Sequence, residues 1–192
     1  MNNTRKLVLT AIFSGIAFLL MLAEFPLAFL MPEFLKLDFS ELPALICAFS
    51  AGPLWGAAVC LIKNLMHLTM TTTAGIGELA NFLLGVAFVL PAGWLYRVKR
   101  TKKGALIGSL GGSVIGAGMS FPINLLITYP FYISLMSKEA IMAMYQIFLP
   151  VETLSEALLI FNLPLTLCKF LIDAAVTFVI YKRLSPILKG KK

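Results

Sequence analysis

Apolar residues run almost unbroken through residues 7–31, 79–96, 105–128 and 164–181. Each run is about as long as the helix of roughly 20 residues that crosses a bilayer's hydrocarbon layer. A fifth apolar stretch, residues 39–70, is too long for one ordinary span. Basic residues decide how to divide it. Twelve of the sixteen lysines and arginines fall in three places: Arg5 and Lys6, residues 97–103, and residues 182–192. Clusters flanking membrane helices stay on the cytoplasmic side, so an even number of spans must separate them. Counting 39–70 once leaves three spans between the first two clusters, an odd number. Gly52-Pro53 supplies the break, because proline cannot donate to a continuing helix and pushes the preceding residue out of helical geometry. This predicts helices over 40–51, with Ser40 as N-cap and Pro43 in the first turn, and over 54–70. Residues 129–163 are mixed in polarity and are expected to form an outside loop carrying one or two short helices. The fold expected is an all-α polytopic membrane helix bundle with six transmembrane helices and both termini cytoplasmic. Its larger outside segments are residues 32–40 and 129–163.

Composition agrees and narrows the function classes. The chain has 192 residues, 59% hydrophobic and 13% charged, with a mean hydropathy of +0.92, far above a soluble domain. Nearly every residue is needed for spans and short loops, so residues 1–192 are expected to form a single integral membrane domain without a soluble catalytic unit. The net charge of +7 comes from the three clusters, which suits anionic lipid head groups rather than nucleic acid. The apolar run behind Arg5 and Lys6 exceeds a signal-peptide core and lacks a small-residue cleavage site, so it is expected to remain as a helix. Cys47, Cys60 and Cys168 are widely spaced in apolar segments, and read as small packed hydrophobes rather than a disulfide or metal framework.

Several polar or small residues stand out against this background. Gly108, Gly112 and Gly116 form two consecutive GxxxG units, a close-packing face for a neighbouring helix. Ala11 and Gly15 form a shorter small-residue face on the first span. Spacing alone leaves two readings open, contact within the chain or docking of another membrane protein. Lys169 and Asp173 lie four residues apart on the last span. They either neutralise each other along the helix, or Lys169 joins Thr166 and Asn124 in a cavity open to the outside. That second set offers a cation, a hydroxyl and an amide, which suits a neutral, flat, hydrogen-bonding heterocycle. Lys63, Asn64 and His67 on the third span, with Glu78 and Asn81 at the start of the fourth, add polar groups near the outer end. A lone His without HExxH or a cysteine pair excludes a recognisable metal site. No P-loop and no nucleophile-base motif is present, so the chain is not expected to be an enzyme.

The string KLDFSELPALICAFSAGPLWGAAVCLIKN at residues 36–64 resembles the riboflavin-specific substrate-binding subunits, or S components, of energy-coupling factor vitamin transporters. ANFLLG at residues 80–85, PINLLITYPFY at 122–132 and PLTLCKF at 164–170 extend the resemblance over essentially the whole chain. The resemblance implies a six-helix bundle in the cell membrane that binds riboflavin from outside, needs no cofactor and hydrolyses no ATP. Its implied partners are a coupling transmembrane protein and two ATPase subunits, which topple the S component to release the vitamin inward. The family's small-residue docking pattern carries over to Ala11 and Gly15. Its isoalloxazine-contacting Asn and Asn-x-x-Lys carry over to Asn124 and Lys169, with Thr166 where the motif has its second Asn. The loop at 32–40 would close over the ligand with Leu37 and Asp38 near it, and Asn81 would contact it from the fourth span. The alternatives are an S component for another vitamin or for flavin mononucleotide, a small intramembrane enzyme, and a structural bundle that binds nothing.

Overall fold

Gly52 sits at φ 118° and ψ 162°, a conformation that L side chains rarely adopt. The chain turns there between α2 (Glu41–Ala51) and α3 (Pro53–His67), with Pro53 at the start of the second helix. The sequence-based break is therefore where the structure has it. This computed structural model describes residues 2–27, 29–33 and 35–189. The terminal lysines at 191 and 192, part of the third basic cluster, and Phe34 of the expected lid lie outside the described residues.

Among the described residues, four helices are long and apolar enough to cross a membrane: Asn3–Leu22, Ile76–Val98, Lys102–Leu135 and Leu154–Ile180. The first is α1 and the second is α4. The third begins as α5 (Lys102–Ile123), widens into a five-residue π segment at Asn124–Thr128, and continues as α6 (Tyr129–Leu135). The fourth begins as α8 (Leu154–Ala157), passes through a second π segment at Leu158–Asn162, and becomes α9 (Leu163–Lys189). Between them α7 (Lys138–Gln146) is short and separate. The chain is thus an all-α multi-pass membrane bundle, apart from one antiparallel ribbon. In that ribbon β1 (Phe25–Pro26) pairs with β2 (Lys36–Leu37).

Three boundaries differ from the expectation. The first helix ends at Leu22 rather than 31, because Pro26 ends any continuation and the following residues turn to pair with β2. The helix over 105–128 does not stop there but runs seven residues further. Pro122 and Pro130 flank its π segment, where the Tyr129 N–H donates to the Asn124 carbonyl five residues back. The last span starts at Leu154 instead of 164. The Thr153 hydroxyl caps it by accepting from the Glu156 N–H at 3.2 Å, and the Glu156 carboxylate reaches back to the Glu152 N–H at 2.9 Å. This is a close relative of the capping box.

One half of the bundle is closed by small residues. A Cβ placed on Gly112 would lie 2.5 Å from the Phe88 carbonyl oxygen, and one on Gly108 would lie 2.8 Å from that of Ala92. One on Gly116 would strike the Phe170 ring at 2.5 Å. The GxxxG face is therefore consumed by packing onto α4 and α9. The short helix α2 is the buried centre of the core, with Ala44 to Phe49 all withdrawn from the surface. Ala11 and Gly15 behave differently. Ala11 is exposed, and an added Cβ on Gly15 would meet nothing within 4 Å.

Candidate ligand-binding site

At the other end the helices spread around a cavity of about 420 Å³. Its wall takes Met21 and Glu24 from the end of α1, Lys36 and Asp38 from the loop, Glu41 from α2, and Asn81 and Leu84 from α4. Asn124, Thr128, Tyr129 and Tyr132 come from the third long helix, and Asn162, Thr166, Lys169 and Phe170 from the fourth. Both π segments reach this cavity. A π turn rotates the residues beyond it relative to an unbroken α-helix, which helps to turn Asn124 and Asn162 toward the same space.

Of the six residues expected around a ligand, Asn124, Thr166, Lys169, Asn81 and Asp38 are brought together in this wall. Leu37 is buried opposite Phe25 in the ribbon and is not among the residues of this wall, as alternate residues of a strand face opposite sides.

The Lys169 ammonium donates to Asp38 Oδ2 and to Glu41 Oε2, both at 2.8 Å. It does not pair with Asp173, whose two carboxylate oxygens have no hydrogen-bond partner among the described residues. The intrahelical ion pair is thus replaced by a bridge from the last helix to the loop and to α2. Glu41 also accepts from Lys63 through Oε1 at 2.5 Å, and both side chains are essentially fully buried. Lys63 donates in addition to the Ser40 hydroxyl. Ser40 is therefore not a side-chain N-cap as predicted, because its hydroxyl is taken up by Lys63. The carboxylate that receives its backbone N–H, at 2.8 Å, is Asp38. Burial alone would raise the Asp38 carboxyl's pKa, but Lys169, Lys63 and these hydrogen bonds hold it well below the ordinary carboxylate range. Two lysines and two carboxylates thus balance one another where the loop meets the bundle.

The remaining donors divide into committed and available groups. Thr166, which lines the cavity, donates its hydroxyl to the Asn162 carbonyl at 2.8 Å. Asn162 accepts from Tyr145 at 2.7 Å and donates to Tyr129 at 3.3 Å. The two tyrosine hydroxyls also bond each other, so this amide is held by its neighbours. Asn81 Oδ1 accepts from Asn64 at 3.3 Å. The Asn124 amide makes no hydrogen bond with any described residue, although the residue is buried and lines the cavity. A buried amide of that kind gains most from an incoming partner.

At the cavity mouth His67 Nδ1 donates to Glu78 Oε1 at 2.8 Å. Thr71 and Thr73 donate to Glu78 Oε2 at 2.9 and 3.1 Å. The loop between α3 and α4 is ordered by this one carboxylate. Across the mouth, Lys36 and Glu24 form an exposed ion pair that clips the ribbon to the end of α1.

A multi-pass bundle with a largely apolar cavity carrying a few polar groups at one end, roofed by the loop after its first helix, defines the class as a membrane protein with a site for a small ligand. Residues 5–181 match the family described as ECF transporter, substrate-specific component, and the chain belongs to that family. It is therefore a transporter subunit and not an enzyme. Riboflavin transporter RibU of Staphylococcus aureus (strain TCH60) is 29% identical over 98% of this chain and 95% of its own length. Riboflavin transporter FmnP of Bacillus subtilis (strain 168) is 32% identical over 99% and 97%. A solved structure described as "Structure and mechanism of the S component of a bacterial ECF transporter" superposes with a TM-score of 0.77. Its sequence is 29% identical, and the match covers 98% of this chain and 99% of that one.

Proposed function

We propose that this chain is the riboflavin-binding S component of an ECF-type transporter and mediates vitamin uptake in the cell membrane. The observation that carries the reading is the unpartnered Asn124 amide converging with Lys169, Thr166 and Asn81 in one cavity. Its volume falls within the range of roughly 300–1,000 Å³ usual for small-molecule sites. Tyr129, Tyr132 and Phe170 add aromatic wall, suited to a flat ring, and the relatives named above are riboflavin transporters. Asn124 supplies amide donors and an acceptor to the polar edge of the ring system, and Lys169 supplies a cationic donor. Asp38 holds the loop against α9 through Lys169, so the residue that meets the ligand also fastens its cover.

In this reading the chain is one domain with six spans, α2 and α3 forming the short second and third, and both termini are cytoplasmic. The cavity then faces outward. The Ala11–Gly15 face docks the coupling membrane protein, which works with two ATPase subunits. That assignment is supported by the exposure of Ala11 and by the absence of any described residue within 4 Å of an added Gly15 Cβ.

The test is purification from cells supplied with riboflavin. The protein is expected to be yellow and to release a flavin that fluoresces on denaturation. A preparation that stays colourless and takes up no added riboflavin refutes the reading. Release of flavin mononucleotide alone would keep the class and change the ligand.

A further inference from the structure

Asp173 is fully buried inside the span Leu154–Ile180, and neither of its carboxylate oxygens has a hydrogen-bond partner among the described residues. Thr177, one helical turn further along α9 and also fully buried, has an unpartnered hydroxyl as well. The charged groups that act on Asp173 are Glu41 of α2, Asp38 of the loop, Lys63 of α3 and Lys169 of its own helix. Helix α5, packed against α9 at Gly116, carries no charged residue between Ala105 and Ile123. Within that set of four the lysines already have their carboxylates. Lys63 pairs with Glu41, and Lys169 with Asp38 and Glu41. Two positive and two negative charges cancel. An ionised Asp173 would add an uncompensated negative charge to the apolar interior, without a hydrogen bond to any described residue. Buried carboxyls avoid that state by taking up a proton. Among the described residues no group of three His, Cys, Asp or Glu side chains could hold a metal ion, so a proton is the cation that fits.

We propose that Asp173 binds a proton inside the membrane domain, and that this proton is exchanged for Lys169 when the loop releases that lysine. Lys169 and Asp173 are four residues apart, so they share a face of α9 and their side chains can meet. Lys169 here reaches instead to the loop, through Asp38, and to α2, through Glu41. With Asp38 withdrawn, the cluster keeps two lysines and one carboxylate. The Asp173 O–H bond then breaks, its proton passes to water in the cavity that Lys169 lines, and the carboxylate left behind becomes the second anion. Closure of the loop reverses the exchange, as Asp38 takes Lys169 back and Asp173 takes up a proton. Movement of the loop is thereby linked to a titratable group within the span, whatever ligand fills the cavity.

Infrared difference spectroscopy of the purified full chain without riboflavin reads the proton directly, because a protonated carboxyl has a carbonyl stretch that a carboxylate lacks. The unaltered chain at neutral pH is expected to show this band, and Asp173→Asn to lose it. Asp38→Asn keeps an acceptor for the Ser40 N–H while removing a charge, and should abolish the Asp173 band at neutral pH. Adding Lys169→Ala to Asp38→Asn leaves Lys63 and Glu41 in balance and should restore the band. Its absence from the unaltered chain overturns the proposal, and so does full intensity in Asp38→Asn. A band that stays absent in the double variant also overturns it, since the exchange would then not run through Lys169. Should Asp38→Asn fail to fold, Asp38→Ser has to give the same loss, and full intensity there overturns the proposal. None of these measurements uses the vitamin, so their failure and that of the riboflavin reading are separable.

Discussion

The same helices, α4, α5 and α9, build two unlike regions. Toward one end they touch backbone to backbone at Gly108 and Gly112. Toward the other, past the π segments at 124–128 and 158–162, they part around a cavity of about 420 Å³. The contact region is made of residues with little or no side chain and tolerates no addition. In the open region amides, hydroxyls and charges point inward at positions where a soluble core would place leucine. Intramembrane polar groups are costly unless paired; here the charges beside the loop pair with one another, while Asn124 and Thr128 line the cavity with no hydrogen-bond partner for their side chains among the described residues. The lesson is a division of labour along one set of helices. A tight end fixes the frame, and an open end keeps one amide ready for a ligand.

Substitutions at the two ends should therefore fail in different ways. The largest effect is expected from Gly112→Leu, which drives a side chain into the Phe88 carbonyl. Overpacking against immovable backbone costs more than the usual 1–3 kcal/mol, roughly, so size-exclusion chromatography should show little folded monomer. Lys169→Ala removes a charged donor and unfastens Asp38. Riboflavin binding is expected to weaken by about 10- to 100-fold, the worth of a charged hydrogen bond, while the protein stays monodisperse. Unchanged affinity would return Lys169 to a purely structural clasp. Asn124→Ala removes neutral hydrogen bonds and should weaken binding by about 5- to 10-fold, with thermal stability unchanged because the amide has no partner among the described residues to lose. Gly15→Leu, where an added Cβ meets none of the described residues within 4 Å, should change riboflavin affinity by less than about twofold, as expected for a residue remote from the site. The same variant should abolish uptake into cells, and uptake at the normal rate would remove the docking assignment.

Much of this architecture was legible in residue types. The Gly52-Pro53 pair divided residues 39–70 where the structure does, because glycine and proline act through local backbone rules. Asn124, Thr166 and Lys169 were placed together because ionisable and amide groups at membrane depth are rare enough to stand out. Other features were hidden. The start of the last helix at Leu154 was concealed by the polarity of Thr153 and Glu156, although their spacing resembles a capping box. That error put Asn162 outside the expected span and out of consideration. Glu41 and Lys63 were visible as charges, but nothing local says that Lys169 reaches residues 131 positions away in preference to Asp173 on its own helix. The facing of Leu37 depends on the ribbon with β1, which Phe25 and Pro26 do not announce.

The claim that the open end is a riboflavin site is tested most directly by titrating the purified, ligand-stripped protein into riboflavin and following the flavin's fluorescence. Saturable quenching at one flavin per chain, weakened in parallel by Lys169→Ala and Asn124→Ala, is the predicted result. Fluorescence that stays unchanged as folded protein is added in excess would contradict it.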